Sequence, residues 1–272
     1  MPTMEPGVVV VGASLAGAKA VETLRTEGYD GPVTLVGAET ERPYERPPLS
    51  KGYLLGEADR DTIYVHPADW YLEHDVDLRL GVTATALDVT ARTVTLEDGT
   101  ELAYGDLLLT TGSRPRRLPL AGADLEGVLS LRSVGDSDAL RAAFVAGARI
   151  VVVGGGWIGL ETAAAARHHG AEVTVVEPQP TPLYAVLGPE LGALFAELHR
   201  EHGVDLRLDT GVSEIRGAGG RATGVVTSAG DVLPADAVVV GVGILPNVEL
   251  AADAGLPVDN GILVDDLLRT AA

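Results

Sequence analysis

The chain of 272 residues contains no cysteine, and basic residues are scarce, with 20 Lys and Arg against 39 Asp and Glu. The lack of cysteine excludes a disulfide framework, a thiolate metal site, a dithiol and a cysteine nucleophile, so any redox chemistry requires a bound cofactor. The net charge of −19 repels phosphate backbones and anionic lipid headgroups. We therefore expect no nucleic-acid partner, no membrane partner and no metal site.

The rest of the composition is that of a globular protein, with 46% hydrophobic and 22% charged residues. The length suits two compact domains or one large one. The apolar run at 8–20 resembles the core of a signal peptide, but Glu5 precedes it, no Lys or Arg flanks it on that side, and small residues interrupt it. We interpret this run as a buried strand and turn, and we expect a cytoplasmic protein.

One pattern occurs twice, at 8–39 and at 150–177, with a Val-rich or Ile-rich run, a Gly-rich turn, a helical segment, a second apolar run and an acid. Continuous β-branched runs indicate strands buried on both faces, and the helix makes each copy a β-α-β unit of a parallel sheet. A hairpin-rich stretch follows each copy, at 78–102 and 213–234. The predicted fold class is α/β, with two Rossmann-like nucleotide-binding domains that each carry a β-meander insertion.

The second copy contains a complete G-x-G-x-x-G motif, formed by Gly154, Gly156 and Gly159, between its strand and its helix. These glycines permit a tight turn, the approach of a pyrophosphate and close helix packing, and the helix N-terminus favours negative charge. Glu177 ends the second strand, where a carboxylate accepts hydrogen bonds from a ribose 2′-OH and repels a 2′-phosphate. The motif therefore favours NAD over NADP; the alternative is a purely structural Gly-rich turn.

The first copy has Ser14 in place of the middle glycine, between Gly12 and Gly17. A side chain at this position crowds a phosphate, although a serine hydroxyl can also donate to one. The acid after the second strand is Glu39, preceded by Ala38. This copy also predicts a dinucleotide site, so the chain has two candidate sites for two different dinucleotides.

Longer motifs occur in one order along the chain: ERPYERPPLSKGYL at 41–54, TTGSRPRRLP at 110–119, GGGWIGLE at 154–161, then HREHGVDLRL, GVGILPN and GILVDDLLRT. Together they resemble the FAD-dependent ferredoxin reductases of oxygenase systems, in the pyridine nucleotide-disulfide oxidoreductase superfamily but without its redox cysteine pair. The resemblance implies an FAD-binding domain at 1–115, an NAD-binding domain at 116–235 and a return to the FAD-binding domain at 236–272. Family members continue past the position of Thr270 into a Gly-Asp FAD motif and a third, interface domain, so the resemblance implies a truncated chain without that domain.

The resemblance also implies site residues. The FAD contacts would be Gly12, Ser14, Ala16, Gly17, Glu39, Arg46, Lys51, Val82 and Arg132. The NAD contacts would be Gly154, Gly156, Trp157, Ile158, Gly159, Glu177 and Gly243. Lys51 and Glu161 would be catalytic, because in related flavoproteins such a carboxylate pairs with a lysine that stabilises negative charge on the reduced flavin. The alternatives are that Lys51 and Glu161 are solvated surface residues and that Trp157 fills the core.

The implied activity is hydride transfer from NADH to FAD, followed by single-electron transfer to a small iron–sulfur protein of the ferredoxin type. An acidic ferredoxin could dock at Arg114, Arg116 and Arg117, or these residues form a surface loop with no partner. Besides the short C-terminus, the chain departs from the family pattern at Ser14, Ala38 and Ala185. The other hypotheses are a non-enzymatic NAD-binding or FAD-binding protein and a degenerate remnant that binds neither cofactor.

Overall fold

A computed structural model describes residues 6–272, so the first five residues of the predicted 1–115 domain lie outside the described residues. The helices of this part of the chain are α1 (Leu15–Thr26), α2 (Gly52–Leu55), α3 (Trp70–Glu73), α4 (Val134–Ala143), α5 (Trp157–His168), α6 (Tyr184–Glu201) and α7 (Glu249–Asp253). Short 3-10 helices cover Pro47–Ser50 and Arg60–Ile63.

The first strands run from β1 (Val8–Val11) and β2 (Val33–Gly37) through β3 (Val76–Leu80), β4 (Ala84–Asp88), β5 (Thr93–Leu96), β6 (Glu101–Ala103), β7 (Asp106–Leu109), β8 (Ser113–Pro115) and β9 (Val128–Leu129). The following strands are β10 (Arg149–Val153), β11 (Glu172–Val176), β12 (Val204–Arg207), β13 (Val212–Ala218), β14 (Arg221–Thr227), β15 (Val232–Pro234) and β16 (Ala237–Val240). The last are β17 (Ile244–Pro246), β18 (Val258–Asp259) and β19 (Gly261–Ile262).

Unit 1 is a compact unit formed by the described residues up to Glu45, by Asp61–Arg114 and by Leu245–Ala272. Its four-stranded parallel sheet has the order β3-β2-β1-β7, and β4, β5 and β6 form an antiparallel meander. The valines of β1 alternate between two core clusters, one on each face of the sheet, so the strand contains no polar position. Each such buried valine contributes roughly 1.5–3 kcal/mol relative to exposure.

Unit 2 is formed by Arg46–Arg60 and Pro115–Ile244. Its five-stranded parallel sheet has the order β12-β11-β10-β16-β9, and β13, β14 and β15 form a second antiparallel meander. The side chains of β10 also alternate between two buried clusters. The first four strands of this sheet repeat the order of unit 1, and β9 is an additional edge strand. In both sheets the strand order reverses beside the first strand, and the predicted α/β fold with two Rossmann-like cores is confirmed.

The compact units differ from the predicted domain boundaries in two places. The family resemblance places the segment 236–244 in the return to the first domain, but β16 pairs with β10 in the sheet of unit 2. The segment 46–60 was expected in the first domain, but it belongs to unit 2 because buried side chains attach it to α4 and α5. Ser137 of α4, for example, donates to the carbonyl of Leu49 at 2.8 Å.

Candidate functional site

The Gly-rich turn of unit 2 leads from β10 into α5. Gly154 has a φ of +107°, and a Cβ atom built on it would lie 2.5 Å from the carbonyl oxygen of Gly241. A Cβ on Gly159 would overlap the carbonyl oxygen of Gly154. Only glycine fits at these two positions. A Cβ on Gly156, by contrast, would meet no described atom closer than 4.0 Å, so open space lies beside the middle of the turn.

The first turn of α5 points its backbone N–H groups at this space. Its N-cap is Gly156, and within the described chain no side chain caps the helix and no acid lies in its first turn. These N–H groups and the helix dipole form an anion site of the kind that binds a pyrophosphate. Trp157 and Ile158 are 45% and 38% exposed, so the alternative that Trp157 fills the core is wrong. Its ring meets Phe195 edge-on, with 5.7 Å between the ring centroids.

Glu177, which follows β11, is bound to the backbone of the turn. Its Oε2 accepts a hydrogen bond of 2.6 Å from the N–H of Gly155, and its Oε1 accepts one of 2.9 Å from the N–H of Gln179. A Cβ on Gly155 would lie 3.1 Å from the Glu177 side chain, so a larger residue there would require that side chain to shift by a few tenths of an ångström. The carboxylate therefore shapes the Gly-rich turn, a role that sequence analysis did not assign to it.

A cavity of about 360 Å³ opens beside this turn, within unit 2. Its lining comprises Leu118, Val153, Gly154, Gly156, Val176, Glu177, Pro178, Thr210, Gly211, Val212, Gly241, Val242 and Gly243. Its walls are mainly apolar, with Glu177 as the charged group, as expected for a site that holds an adenine ring and a ribose. Sequence analysis missed Thr210, Gly211 and Val212, because nothing in their local pattern shows that they reach this turn.

The corresponding turn of unit 1 has the same construction. Gly12 has a φ of +120°, and a Cβ on it would overlap the carbonyl oxygen of Thr110 at the end of β7. A Cβ on Gly17 would overlap the carbonyl oxygen of Gly12. Ser14 is the N-cap of α1, and among the described residues its hydroxyl makes no capping hydrogen bond and no acid lies in the first turn, where Ala16 is exposed. The Ser14 hydroxyl is thus available to an anion at this helix N-terminus.

Glu39 and Val82 lie together at the carboxyl end of β2. The Glu39 carboxylate accepts a hydrogen bond from the hydroxyl of Tyr44, and its backbone carbonyl accepts one of 2.9 Å from Gly81. Val82 donates its backbone N–H to Gly37 at 3.1 Å. Two of the predicted adenosine contacts therefore share one edge of the unit 1 sheet, the edge at which ligands bind in open α/β folds.

Lys51 and Glu161 form the expected pair, and both belong to unit 2. Lys51 Nζ lies 2.9 Å from Oε1 and 2.8 Å from Oε2 of Glu161. The Glu161 side chain is 28% exposed and the Lys51 side chain 57% exposed. The Glu161 side chain is therefore largely shielded from solvent, whereas Lys51 is paired with it but remains more than half exposed.

Arg46 and Arg132 also meet in unit 2, where the Arg46 guanidinium donates to the Arg132 carbonyl. The N–H groups of Arg132 and Ser133 donate to Asp136, which together with the Ser133 hydroxyl forms a capping box at the start of α4. The predicted FAD contacts therefore do not all lie in one unit. Arg46, Lys51 and Arg132 belong to unit 2, whereas Gly12, Ser14, Ala16, Gly17, Glu39 and Val82 belong to unit 1.

Two of the three arginines proposed for partner docking, Arg114 and Arg117, form ion pairs. Arg114 lies 2.6 Å from Glu249, and Arg117 lies 3.4 Å from Asp124. Both ion pairs are exposed and contribute little to the stability of the fold. Within residues 6–272 there is no group of three or more His, Asp or Glu side chains arranged to hold a metal ion. The same stretch contains no helix with the length and apolar character needed to span a bilayer.

The sequence and the fold are similar to those of known proteins. A family model described as pyridine nucleotide-disulphide oxidoreductase matches residues 6–272. The chain is 48% identical over 263 residues to rhodocoxin reductase of Rhodococcus erythropolis, covering 97% of this chain and 62% of the relative. It is 47% identical over 265 residues to the anthranilate 1,2-dioxygenase system ferredoxin–NAD(+) reductase component of Burkholderia cepacia, covering 97% and 64%. The crystal structure of the covalent putidaredoxin reductase–putidaredoxin complex matches with a TM-score of 0.96 and 39% identity, covering 99% of this chain and 66% of that chain.

Proposed function

Because the chain belongs to the pyridine nucleotide-disulphide oxidoreductase family, we propose that it acts as an NADH-dependent, FAD-containing ferredoxin reductase. The observation that supports this most strongly is the pair of Gly-rich turns, built alike at the carboxyl ends of β1 and β10. The relatives that it matches are named as reductases of rhodocoxin and of a ferredoxin. The chain spans 62% and 64% of their length, so the proposal concerns the nucleotide chemistry first and the electron acceptor second.

The residues of unit 2 fit NAD. The uncapped N-terminus of α5 would bind the pyrophosphate beside Gly156, where there is room for it. The cavity next to Glu177 would take the adenosine, and the negative carboxylate would disfavour a 2′-phosphate. Trp157, Ile158, Gly159 and Gly243 complete the proposed NAD contacts. The support for Glu177 at the ribose is its place in the cavity wall, in addition to its hydrogen bonds to the turn.

The residues of unit 1 fit the diphosphate and adenosine of FAD. Gly12 and Gly17 close the turn, and the N-terminus of α1 with the Ser14 hydroxyl would bind the phosphates. Glu39 and Val82 would bind the adenosine side. The cationic side chains of Arg46, Lys51 and Arg132 are further proposed FAD contacts, on the strength of the family resemblance.

The two cofactors, when bound, supply hydride transfer and the storage of an electron pair that can leave one electron at a time. The chain binds and orients them, and Lys51 places a positive charge where negative charge develops on reduction. Glu161 fixes that lysine through two hydrogen bonds. Because these 272 residues contain no cysteine, they supply no dithiol to accept the electrons, and we propose another molecule as the acceptor.

The proposed acceptor is a small iron–sulfur protein of the ferredoxin type, and NADH as the reductant makes the cytoplasm the proposed location. The names of the relatives support the acceptor, and the crystal structure of a relative bound to putidaredoxin supports a protein partner. Arg116 and its neighbours Arg114 and Arg117 are the proposed docking residues.

The test is a visible absorption spectrum of the purified protein, taken as isolated, after addition of FAD, and after anaerobic addition of NADH. A flavin band that NADH bleaches would support the proposal. NADH binding without flavin, measured by calorimetry, would identify a non-enzymatic NAD-binding protein instead. Binding of neither cofactor would identify a remnant. If the band is bleached, reduction of an added ferredoxin would then distinguish a ferredoxin reductase from a flavoprotein that reduces only oxygen or quinones.

A further inference from the structure

A buried hydroxyl lies beside the Lys51–Glu161 ion pair. Ser50 is 5% exposed, and its Oγ donates a hydrogen bond to Oε2 of Glu161. The same carboxylate oxygen lies 2.8 Å from Lys51 Nζ. Oε2 of Glu161 therefore accepts hydrogen bonds from both Ser50 and Lys51, and Oε1 accepts one from Lys51.

The backbone around Ser50 is held by buried contacts. Ser50 ends the 3-10 helix Pro47–Ser50, whose two prolines restrict the chain at its start. Leu49 is 1% exposed, and its carbonyl accepts the 2.8 Å hydrogen bond from the fully buried Ser137 of α4. The Ser50 hydroxyl thus projects from a fixed point of unit 2 rather than from a mobile loop.

Lys51 by itself does not provide such a fixed point. Its side chain is 57% exposed, and an exposed lysine–carboxylate pair is weak because water competes for both partners and the long side chains lose conformational freedom. A hydrogen bond from a buried hydroxyl to a carboxylate is charge-assisted and short, and it has little competition from water. The orientation of the Glu161 carboxylate is therefore set mainly from the Ser50 side.

We propose that Ser50 is a positioning residue, whose hydroxyl orients the Glu161 carboxylate so that this carboxylate holds the Lys51 ammonium in one place. The consequence for the flavin rests on the proposed function, in which Lys51 faces FAD. The positioning itself rests only on contacts within unit 2.

The composition of the chain makes this testable without a cofactor. The 272 residues contain two lysines, Lys19 and Lys51, and Lys19 forms an exposed pair with Glu22 at 2.7 Å. In protein labelled with ¹⁵N-lysine, the two side-chain ammonium groups give two signals, which K19R and K51R assign. The measurement is the rate at which each ammonium exchanges its protons with water, and Lys19 is the internal control.

We expect Ser50→Ala to speed the exchange of the Lys51 ammonium roughly fivefold to tenfold and to leave Lys19 unchanged. Ser50→Cys nearly preserves the volume but supplies only a weak donor, so it should behave like alanine. Ser50→Thr keeps the hydroxyl and should restore slow exchange. In a Glu161→Ala background, Ser50→Ala should have no further effect, because Ser50 acts through Glu161.

Unchanged exchange at Lys51 in Ser50→Ala would overturn the proposal, and so would wild-type exchange in Ser50→Cys, which would show that packing alone is needed. If Ser50→Ala fails to fold by circular dichroism, Ser50→Cys takes its place. In FAD-loaded protein, Ser50→Ala should lower the limiting rate of flavin reduction roughly threefold to tenfold without changing its dependence on NADH concentration. If the exchange pattern appears but FAD does not bind, the proposed function fails and the positioning role stands.

Discussion

Lys51 and Glu161 lie 110 residues apart in the chain, yet Lys51 Nζ contacts both carboxylate oxygens of Glu161, at 2.9 and 2.8 Å. Glu161 lies on α5, the helix that begins at the Gly-rich turn of unit 2. Lys51 lies in the segment that unit 2 takes from the early part of the chain. A residue of the proposed flavin motif is thus fixed to the helix that follows the proposed NAD motif.

The role of Lys51 can be separated from cofactor binding. Lys51→Met should slow the reduction of bound FAD by NADH by about tenfold or more, because the charge that stabilises the reduced ring is lost. The affinity for NADH should change less than about twofold. Anaerobic stopped-flow measurements over a range of NADH concentrations give both quantities. Lys19→Met changes the other lysine of the chain and should alter neither; an equal loss of rate and affinity in Lys51→Met would contradict this role.

Gly156→Ala tests the proposed pyrophosphate position in a protein that should keep its fold. Its φ is −78°, and a Cβ there meets no described atom within 4.0 Å, so Gly156→Ala should fold normally. The new methyl group occupies the space proposed for the pyrophosphate, and NADH binding should weaken by about tenfold or more. The measurements are the dissociation constant from calorimetry and the melting temperature.

Gly135→Ala is the matched control for this change. Gly135 lies in α4, and a Cβ on it would be in ordinary contact, 3.8 Å from the Ser133 hydroxyl. This variant should keep full NADH affinity and gain roughly 0.4–1 kcal/mol of stability, as alanine does at a compatible helical site. Full NADH affinity in Gly156→Ala as well would exclude the proposed pyrophosphate position.

Glu177 should affect both coenzyme choice and stability. Glu177→Ala removes the acceptor of the Gly155 and Gln179 N–H groups, which should lower the free energy of unfolding by about 1–3 kcal/mol. It also removes the charge that repels a 2′-phosphate, so the ratio of NADH to NADPH affinity should fall. Glu177→Gln keeps an acceptor oxygen and should recover much of the stability while its coenzyme ratio stays low. An unchanged ratio in both variants would place the ribose elsewhere.

Asp236 makes unit 2 sensitive to acid. The side-chain hydrogen bond from Arg149, at 2.7 Å, and the Arg149 backbone N–H lower the pKa of Asp236 to about 2. A carboxyl whose pKa is depressed in the folded state stabilises the fold above its unfolded pKa of about 4, and this stability is lost as the pH falls from about 4 to about 2. Because the pair is about half exposed, solvent limits its contribution to about 1 kcal/mol.

Asp236→Asn should therefore lower the free energy of unfolding at pH 7 by about 1 kcal/mol and flatten its decline between about pH 4 and pH 2. The chain has one tryptophan in each unit, Trp70 and Trp157. Urea unfolding followed by Trp157 fluorescence in a Trp70→Phe background reports on unit 2. A decline in acid as steep as that of the parent would assign the sensitivity to other carboxyl groups.

Much of the fold could be predicted because its signals are local. The uninterrupted apolar runs at β1 and β10 predicted strands buried on both faces, and both pair with parallel neighbours on either side. Gly154 and Gly159 could be identified from their spacing in the motif, and the close approach of Gly159 to the Gly154 carbonyl is local, whereas that of Gly154 to the Gly241 carbonyl is not. The pairing of Lys51 with Glu161 was implied by a family resemblance, since no spacing rule connects residues so far apart.

Other features depend on contacts between distant segments, which a single sequence does not encode in any local pattern. The close approach of Gly155 to the Glu177 side chain is one such feature, and the position of the segment 46–60 beside α4 and α5 is another. Ser50 is indistinguishable in sequence from a surface serine until the fold buries it.

The sequence by itself therefore determined the two β-α-β units, their Gly-rich turns and the absence of thiol chemistry, because strand burial, turn geometry and composition are properties of short segments. Only the tertiary structure decided which unit holds Lys51, what Glu177 binds, and which hydroxyl reaches Glu161. These depend on packing across long sequence separations, where side-chain volume and hydrogen-bond geometry select one arrangement among many that the local pattern permits.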